Sequence, residues 1–371
     1  MLKINRKARS YLINIINSTI YWTLAMFLYV VLRTFGIEEA GESLKIKHDD
    51  FEIDFIVTIT GGLILGIAFG VLDIFLDREK IRKRPSGFII LIRSILHITV
   101  ITIAAYVIMI VLSQFDSGIK MRAKYSYSFY NLISSRDFIV FLVYSWIVSM
   151  LMSLIKQVNL KFGPGNLARF MLGTYHHPKV EERIFMFLDM KSSTTYAERL
   201  GHIKYSKLIQ DCFYYLTDVV IERRVEIYHY VGDEAILTWR VEDGLEYANC
   251  IRAYFDFARI LEGKEAYFFE HYSICPEFKA GVNIGLATVA EVGEIKRELH
   301  FHGDVLNTAA RIQGECNKYN KRLLISEDLK RRLSQKLDLN IELIGSISLK
   351  GKETNVNVYS VEEKEDLIVE A

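Results

Sequence analysis

The stretch Arg183-Ile-Phe-Met-Phe-Leu-Asp189-Met-Lys-Ser-Ser-Thr194 decides the fold of the second half of this 371-residue chain. Its apolar run has the length of a buried strand, and the run ends on the carboxylate of Asp189. A charge at the end of a buried strand is costly unless it is paired or bound to a metal ion. Asp189 is therefore a candidate metal ligand.

A second carboxylate lies at the tip of a predicted hairpin. The sequence Ile227-Tyr-His-Tyr-Val-Gly-Asp233-Glu-Ala-Ile-Leu-Thr-Trp239 is typical of two strands that turn at Gly232-Asp233. Two such carboxylates indicate a site for hard cations, which prefer oxygen ligands. Further along, Asn307 and Arg311 are four residues apart on a predicted helix and so share a face.

Composition excludes some functions and divides the chain into unequal halves. Charged residues make up 25% with a net charge of +1, so nothing favours a nucleic acid polymer as a partner. Hydrophobic residues reach 51%, and almost all of the apolar excess lies before Gln157. The four cysteines lie in the second half without metal-like spacing, which is typical of reduced structural cysteines.

The first half predicts an α-helical membrane domain of four transmembrane helices, in contact with membrane lipid. Its apolar segments, at about 15–35, 53–76, 88–115 and 138–155, are each long enough to cross a bilayer. No small-residue cleavage site follows the first segment, which argues against a signal peptide. Basic residues flank the predicted inner ends, so we expect a multi-pass protein of the inner (plasma) membrane with both termini and the second half in the cytoplasm.

Small and charged residues inside these segments leave two questions open. Gly62, Gly66 and Gly70 form a stripe on the second segment, suited either to packing within the chain or to a dimer seam. Asp73 and Arg93 lie within apolar segments, where an interior salt bridge and snorkelling are both possible.

The second half alternates between predicted strands and helices in the order strand, helix, hairpin, helix, strand. That order predicts an α+β ferredoxin-like fold. The principal predicted helices are His202–Arg223, Asp243–Leu261 and Asp304–Cys316, with strands at Ile184–Asp189, Phe278–Ile284, Leu323–Ser326, Ile341–Leu349 and Val356–Val361. The predicted domains are 1–157 in the membrane, a linker at 158–180, a catalytic domain at 181–362 and a tail at 363–371.

Five separated motifs together resemble the catalytic domain of class III nucleotidyl cyclases. They are the Asp189 strand, the Gly232-Asp233 hairpin, Gly281-Val-Asn-Ile-Gly285, Gly293-Glu-Ile-Lys296, and His300-Phe-His-Gly-Asp-Val-Leu-Asn307-Thr-Ala-Ala-Arg311. The resemblance covers about 181–362 and implies an adenylate cyclase, which converts ATP to 3′,5′-cyclic AMP and pyrophosphate. It also implies a homodimer, because the family builds each site from two subunits.

The resemblance assigns the metal ligands. Asp189, Asp233 and the backbone carbonyl of Met190 would hold two Mg²⁺ (or Mn²⁺) ions per active site. Two such ions lower the pKa of an attacking hydroxyl and screen the leaving oxygens. The alternative for Asp189 is to cap the helix that begins near Ser192.

The resemblance also assigns the substrate contacts. Asn307 would orient the ribose, Arg311 would stabilise the transition state through its bidentate fork, and Lys350 would contact the polyphosphate. A capping Asn307, a solvent-facing Arg311 and a solvated Lys350 are the alternatives.

For base recognition, the resemblance implies that Lys296 would donate toward adenine N1. At the position of His300 the family usually has Asp or Thr, which accepts a hydrogen bond from the base. A neutral imidazole can accept through one nitrogen, so His300 is compatible with adenine. His229 also stands where relatives often carry lysine. A guanylate or other nucleotidyl cyclase, and an inactive membrane receptor with a cyclase-like domain, are the alternative functions.

Overall fold

In a computed structural model, the residues described are 6–41, 51–76, 84–115, 136–162, 169, 172–295, 297–334, 338–348 and 355–364. The chain divides into two compact units, Met1–Phe162 and Gly163–Ala371. Helices and strands are numbered below in chain order.

The first unit consists of long helices. They are α1 (Arg6–Gly41), α2 (Phe51–Leu76), α3 (Ser86–Phe115) and α4 (Arg136–Phe162). By length and composition, each contains a segment able to cross a membrane: Tyr11–Arg33, Ile59–Leu76, Ser86–Val107 and Phe138–Leu160. The prediction of four apolar spans before a mixed α/β unit is confirmed.

The glycine stripe of α2 packs against α1 of the same chain. A Cβ atom added at Gly66 would lie 2.5 Å from the Cα atom of Thr19, and one added at Gly70 would lie 2.7 Å from that of Ile15. Small residues allow two helices to approach this closely. The interpretation as packing within the chain is confirmed.

Charged residues inside the first unit pair with one another. Nε of the buried Arg93 lies 2.7 Å from Oδ1 of Asp73, and Nζ of Lys156 lies 3.3 Å from Oδ2 of the same carboxylate. One turn along α3, Nδ1 of His97 lies 2.8 Å from Oγ of Ser149 on α4. The interior salt bridge, rather than snorkelling, therefore explains Arg93.

The second unit is a sheet with helices on both faces. Its strands are β1 (Lys179–Met190), β2 (Glu226–Val231), β3 (Glu234–Arg240), β4 (Phe278–Val292), β5 (Glu298–His302), β6 (Leu323–Ser326), β7 (Leu339–Ser348) and β8 (Asn355–Glu363). Its helices are α5 (Ser193–Glu222), α6 (Val241–Leu245), α7 (Asn249–Glu262), α8 (Glu265–Tyr272), α9 (Asp304–Gly314) and α10 (Glu327–Arg332).

The strand order is β2-β3-β1-β4-β6-β8-β7, and β5 pairs with β4. Strand β1 is antiparallel to both β3 and β4. The order of the first four strands is that of a ferredoxin-like fold, so this prediction is confirmed.

The two faces of β1 pack against different cores. The even-numbered residues of Ile184–Leu188 join the larger core, which includes residues of α5, α7 and α8. Phe185 and Phe187 join a smaller core with residues of β5 and α9. Because side chains alternate along a strand, Asp189 follows Phe187 onto the face that α9 covers.

Two sequence predictions differ from the structure. The helix predicted over Asp243–Leu261 is broken, because Tyr247 and Ala248 have positive φ angles of 52° and 53° between α6 and α7. The strand predicted over Phe278–Ile284 continues to Val292, because β5 pairs with its second half. Within the predicted linker, the pattern at 166–173 also indicates a short amphipathic helix, and most of these residues lie outside the described part of the chain.

Candidate active site

Asp189 is held from two sides at the end of β1. Nζ of Lys279 on β4 lies 3.3 Å from Oδ2 of Asp189. The side-chain nitrogen of Gln313 on α9 donates a hydrogen bond of 2.8 Å to the same oxygen. In the sheet register, Asp189 faces Lys279 on one neighbouring strand and Glu234 on the other. These contacts replace any cap of α5, whose N-cap residue is Ser192.

Asp233 lies in the turn between β2 and β3, after Gly232 with its φ of 63°. Its Oδ2 atom is buried and has no hydrogen-bond partner among the described residues. A buried carboxylate oxygen left without a partner is destabilising unless a cation contacts it. This orphaned oxygen, close to a second aspartate, fits a divalent metal site.

Burial and neighbouring negative charges raise the pKa values of acidic groups at this end of the sheet. Burial raises the pKa of Asp189; the charge of Lys279 opposes this shift, and the charge of Asp233 adds to it. Burial, followed by the charges of Asp189 and Asp233, raises the pKa of Glu234 to about 7. Burial and then the charge of Asp233 also raise the pKa of the Tyr205 hydroxyl. Negative charge is thus crowded here, and a divalent cation would offset the repulsion.

Helix α9 directs its polar residues to opposite sides. Gln313 is buried and contacts Asp189, whereas Asn307 is exposed and Arg311 is half-buried. At 3.6 residues per turn, Arg311 and Gln313 lie about 200° apart around the helix axis. Asn307 and Arg311 therefore extend away from the aspartate that Gln313 contacts.

Gly281 on β4 allows α9 to lie directly on the sheet. A Cβ atom at this position would lie 2.2 Å from the backbone nitrogen of Gln313 and 2.6 Å from the carbonyl oxygen of Ala309. Such distances are far below van der Waals contact, so glycine is required. The close approach brings Gln313 within reach of Asp189.

His300 on β5 lies in a polar cluster with residues of β2. Its Nδ1 atom is 3.4 Å from the hydroxyl oxygen of Tyr228, and its Nε2 atom is 3.9 Å from Oε2 of Glu298. The Tyr228 oxygen accepts a hydrogen bond of 3.2 Å from the backbone N–H of Phe301. The ring of His229 has its centroid 5.8 Å from that of His300.

The register of the β2–β3 hairpin and a β-bulge at Tyr228 together produce this cluster. Ile227 pairs with Leu237, but His229 pairs with Ile236, so Tyr228 is an extra residue in β2. Directly paired residues share a face, which puts His229 on the side of Ile236 and of the smaller core. The bulge brings Tyr228 to the same side, where its ring lies 5.0 Å from that of Phe301.

Three residues that contact or face the aspartates were missed in the sequence: Lys279, Gln313 and Glu234. Lys279 and Glu234 could have been found from the strand register, had it been known. Gln313 carries no local signal, since it depends on how α9 lies on the sheet. Lys296 and Lys350, which were predicted to contact the substrate, lie outside the described residues.

The fold and the clustered carboxylates define a protein of the nucleotide cyclase class. Residues 176–363 match the sequence profile of the family described as the adenylate and guanylate cyclase catalytic domain, and the chain belongs to this family.

Individual relatives agree with this assignment. The chain is 32% identical over 220 residues to "Adenylate cyclase 2" of Rhizobium meliloti (strain 1021), with 59% of this chain and 61% of the relative covered. It is 30% identical over 135 residues to "Adenylate cyclase, terminal-differentiation specific" of Dictyostelium discoideum, with 36% of this chain and 6% of that protein covered. The match thus spans less than two thirds of either relative.

The fold is similar to that of a solved bacterial light-regulated adenylyl cyclase, with a TM-score of 0.51 and 18% identity. The similarity covers 63% of this chain and 67% of the solved one. At this identity the comparison concerns the fold alone.

Proposed function

We propose that the protein is a membrane-anchored adenylate cyclase that converts ATP to 3′,5′-cyclic AMP and pyrophosphate at a homodimer interface. The observation that carries this proposal is the closeness of two carboxylates, Asp189 and Asp233, whose charges act on each other. The buried Oδ2 atom of Asp233, which lacks a hydrogen-bond partner among the described residues, suits contact with a cation. The relatives named as adenylate cyclases support ATP as the substrate.

The aspartates and the carbonyl of Met190 would hold two Mg²⁺ (or Mn²⁺) ions. When bound, such ions lower the pKa of the ribose 3′-hydroxyl and neutralise charge on the leaving pyrophosphate. Gln313 and Lys279 fix the orientation of the Asp189 carboxylate, since both contact its Oδ2 atom. A preorganised carboxylate needs little rearrangement when the substrate binds.

A second copy of the chain would supply the remaining groups. Because α9 turns Gln313 toward Asp189 of its own chain, Asn307 and Arg311 extend away from that aspartate and would meet the aspartates of a neighbouring chain. From there Asn307 would orient the ribose, Arg311 would donate to two phosphate oxygens, and Lys350 would contact the polyphosphate. A two-fold arrangement gives two equivalent sites.

His300 and Lys296 would recognise adenine. If Nδ1 of His300 carries the proton, it donates to the Tyr228 oxygen 3.4 Å away. Nε2 is then left as an acceptor for the adenine amino group. Lys296 would donate toward adenine N1, which carries no hydrogen. In guanine that position carries one, so the arrangement favours ATP.

The helical unit would span the inner (plasma) membrane, with both termini and the catalytic unit in the cytoplasm. Basic residues at the predicted inner ends of the spans support this orientation. Holding two chains in one membrane raises the effective concentration of their catalytic units.

Substrate choice is tested with the full chain purified in detergent. The protein is given ATP, GTP, CTP or UTP separately with Mg²⁺ or Mn²⁺, and cyclic products are separated by chromatography. Cyclic AMP is expected as the dominant product. Dominant cyclic GMP would replace the proposal with a guanylate cyclase, and no product from any nucleotide would favour an inactive receptor.

The shared interface is tested by mixing inactive chains. Co-expression of Asp189→Ala with Arg311→Ala should restore one working site per dimer. Co-expression of Asp189→Ala with Asp233→Ala is the matched control, because both changes affect the same half of the site and no intact site can form. Equal activity in the two mixtures would contradict a site built from two chains.

A further inference from the structure

Three side chains near the smaller core form a group with metal-ligand chemistry. His229 on β2 and Glu298 and His300 on β5 each offer one ligand atom, and these atoms lie within 4.8 Å of one another. All three residues are half-buried, so the group is supported by the protein and open to solvent on one side.

We propose that His229, Glu298 and His300 form a binding site for a zinc-like transition-metal ion, distinct from the proposed Mg²⁺ site at the aspartates. Two imidazole nitrogens and one carboxylate oxygen suit Zn²⁺, whereas Mg²⁺ and Ca²⁺ prefer oxygen ligands alone. Three protein ligands leave the fourth tetrahedral position to water or another small ligand.

The contacts of His300 already resemble those of a metal-bound imidazole. Its Nε2 atom faces the Glu298 carboxylate at 3.9 Å, and its Nδ1 atom faces the Tyr228 oxygen at 3.4 Å. A metal-ligating histidine commonly donates its other N–H to an oxygen, which fixes the orientation of the ring. Nδ1–H can thus donate to Tyr228 while the lone pair of Nε2 binds the ion.

The remaining adjustment is small. Tetrahedral zinc with bonds of about 2.0 Å holds its ligand atoms roughly 3.3 Å apart. The ligand atoms here lie within 4.8 Å, so side-chain rotations of His229 and Glu298 would complete the site. The register of the hairpin matters because it puts His229 opposite Ile236, on the face of the smaller core, which includes Phe301 of β5.

The metal would compete with the substrate. This consequence rests on the proposed function, in which Nε2 of His300 accepts a hydrogen bond from the adenine base. A nitrogen bound to zinc has no lone pair left for the base, so zinc would weaken ATP binding without occupying the aspartates.

The test is a zinc titration of the full chain in detergent, without nucleotide and with millimolar Mg²⁺ present to occupy the carboxylate site. A chromophoric zinc indicator competes for the metal. The parent should bind one Zn²⁺ per chain, and His229→Ala or His300→Ala should lower the affinity by at least about 100-fold, since even outer-sphere changes cost 10- to 100-fold. His302→Ala is the matched control, because this exposed histidine is on the same strand as His300 but outside the group.

Unchanged zinc affinity in both His→Ala variants would overturn the site. So would zinc binding that is lost in Asp233→Asn and retained in His229→Ala, because the aspartates would then be the ligands. Substitution with Co²⁺ gives an independent readout, since visible absorption bands of a tetrahedral site should disappear in His300→Ala and persist in His302→Ala. Binding of a non-hydrolysable ATP analogue, measured with and without Zn²⁺, then tests competition separately.

Discussion

The side-chain amide of Gln313 donates a hydrogen bond of 2.8 Å to Oδ2 of Asp189, a residue 124 positions earlier in the chain. This bond joins α9 to the end of β1. The helix that carries Asn307 and Arg311 is thereby fixed relative to the aspartate of its own chain. We therefore expect the geometry of both halves of the site to depend on Gln313.

Replacing Gln313 with methionine should weaken metal use. Methionine keeps the approximate length and shape of the side chain and removes the hydrogen bond to a charged oxygen, which contributes about 1.5–3 kcal/mol. The Mg²⁺ concentration for half-maximal activity should rise by roughly 10- to 150-fold, by conversion of that free energy. Gln210→Met, the same change at an exposed position of α5, is the control. Equal Mg²⁺ dependence in the two variants would contradict a positioning role.

Gly281→Ala should displace α9. The added methyl group would lie 2.2 Å from the backbone nitrogen of Gln313, so the helix must shift or the protein loses about 1–3 kcal/mol of stability. Both the thermal unfolding temperature and the activity should fall. At Gly314 a Cβ atom meets nothing within 4 Å, so Gly314→Ala should leave both unchanged or slightly raise the unfolding temperature. If Gly314→Ala lowered the unfolding temperature and the activity more than Gly281→Ala did, the tight contact at Gly281 would be contradicted.

Arg311→Ala should lower kcat by about 100- to 1,000-fold, as expected for loss of a transition-state donor. The kcat of Arg311→Lys should lie between that of the parent and that of Arg311→Ala, because lysine keeps the charge and loses the bidentate fork. The Mg²⁺ concentration for half-maximal activity should stay the same in both, since Arg311 lies on the side of α9 opposite Gln313. Steady-state kinetics measure these quantities, and a change confined to KM would argue against a transition-state role.

An ion-pair cluster under the smaller core should make stability depend on pH. Nη2 of the buried Arg183 lies 2.8 Å from Oε2 of Glu181, and its Nη1 atom lies 3.0 Å from Oε2 of Glu226. Burial alone would raise the pKa of Glu181, but its hydrogen bond and ion pair with Arg183 outweigh burial and lower the pKa below its ordinary value of 4.5. An acid with a lowered folded pKa stabilises the protein above pH 4.5, and this stabilisation is lost as the pH falls through the folded pKa.

Glu181→Gln should therefore lower the thermal unfolding temperature at pH 7, and the difference from the parent should shrink as the pH falls below 4.5. Glu270→Gln, at an exposed position of α8, should match the parent throughout. A penalty for Glu181→Gln that is constant from pH 7 to pH 3 would show that the charge of Glu181 is unimportant.

In the helical unit, Gly66→Val should separate α1 from α2. A Cβ atom at Gly66 already lies 2.5 Å from the Cα atom of Thr19, and valine adds two further methyl groups. Gly61→Val is the control, because a Cβ atom there meets nothing within 4 Å. Gly66→Val should lower the unfolding temperature in detergent far more than Gly61→Val does. Similar values for the two would indicate that the helices do not pack through this stripe.

The sequence was sufficient for features that depend on local pattern. The apolar run before Asp189 and the turn at Gly232-Asp233 predict the strand and the hairpin, and four apolar segments predict the helical unit. Each signal lies within a window of about 5–20 residues, where periodicity and length determine the local structure.

Features that depend on register or helix docking could not be predicted in this way. Lys279 faces Asp189 because of the β1/β4 register, and Gln313 reaches it because α9 approaches the sheet at Gly281. The positive φ angles of Tyr247 and Ala248 also contradict their helical pattern, since side chains other than glycine rarely adopt them.

The bulge at Tyr228 makes the surroundings of His300 sensitive to chain length. Both neighbours of Tyr228 pair with adjacent residues of β3, so deleting Tyr228 would leave His229 on the same face and remove the hydroxyl group that contacts His300. Under the proposed function, insertion or deletion in this strand would therefore change the contacts of a base-recognising residue while the metal-binding and catalytic residues stay the same. Evolution of base selectivity would then have a route besides point substitution, and an engineered deletion of Tyr228 would follow it.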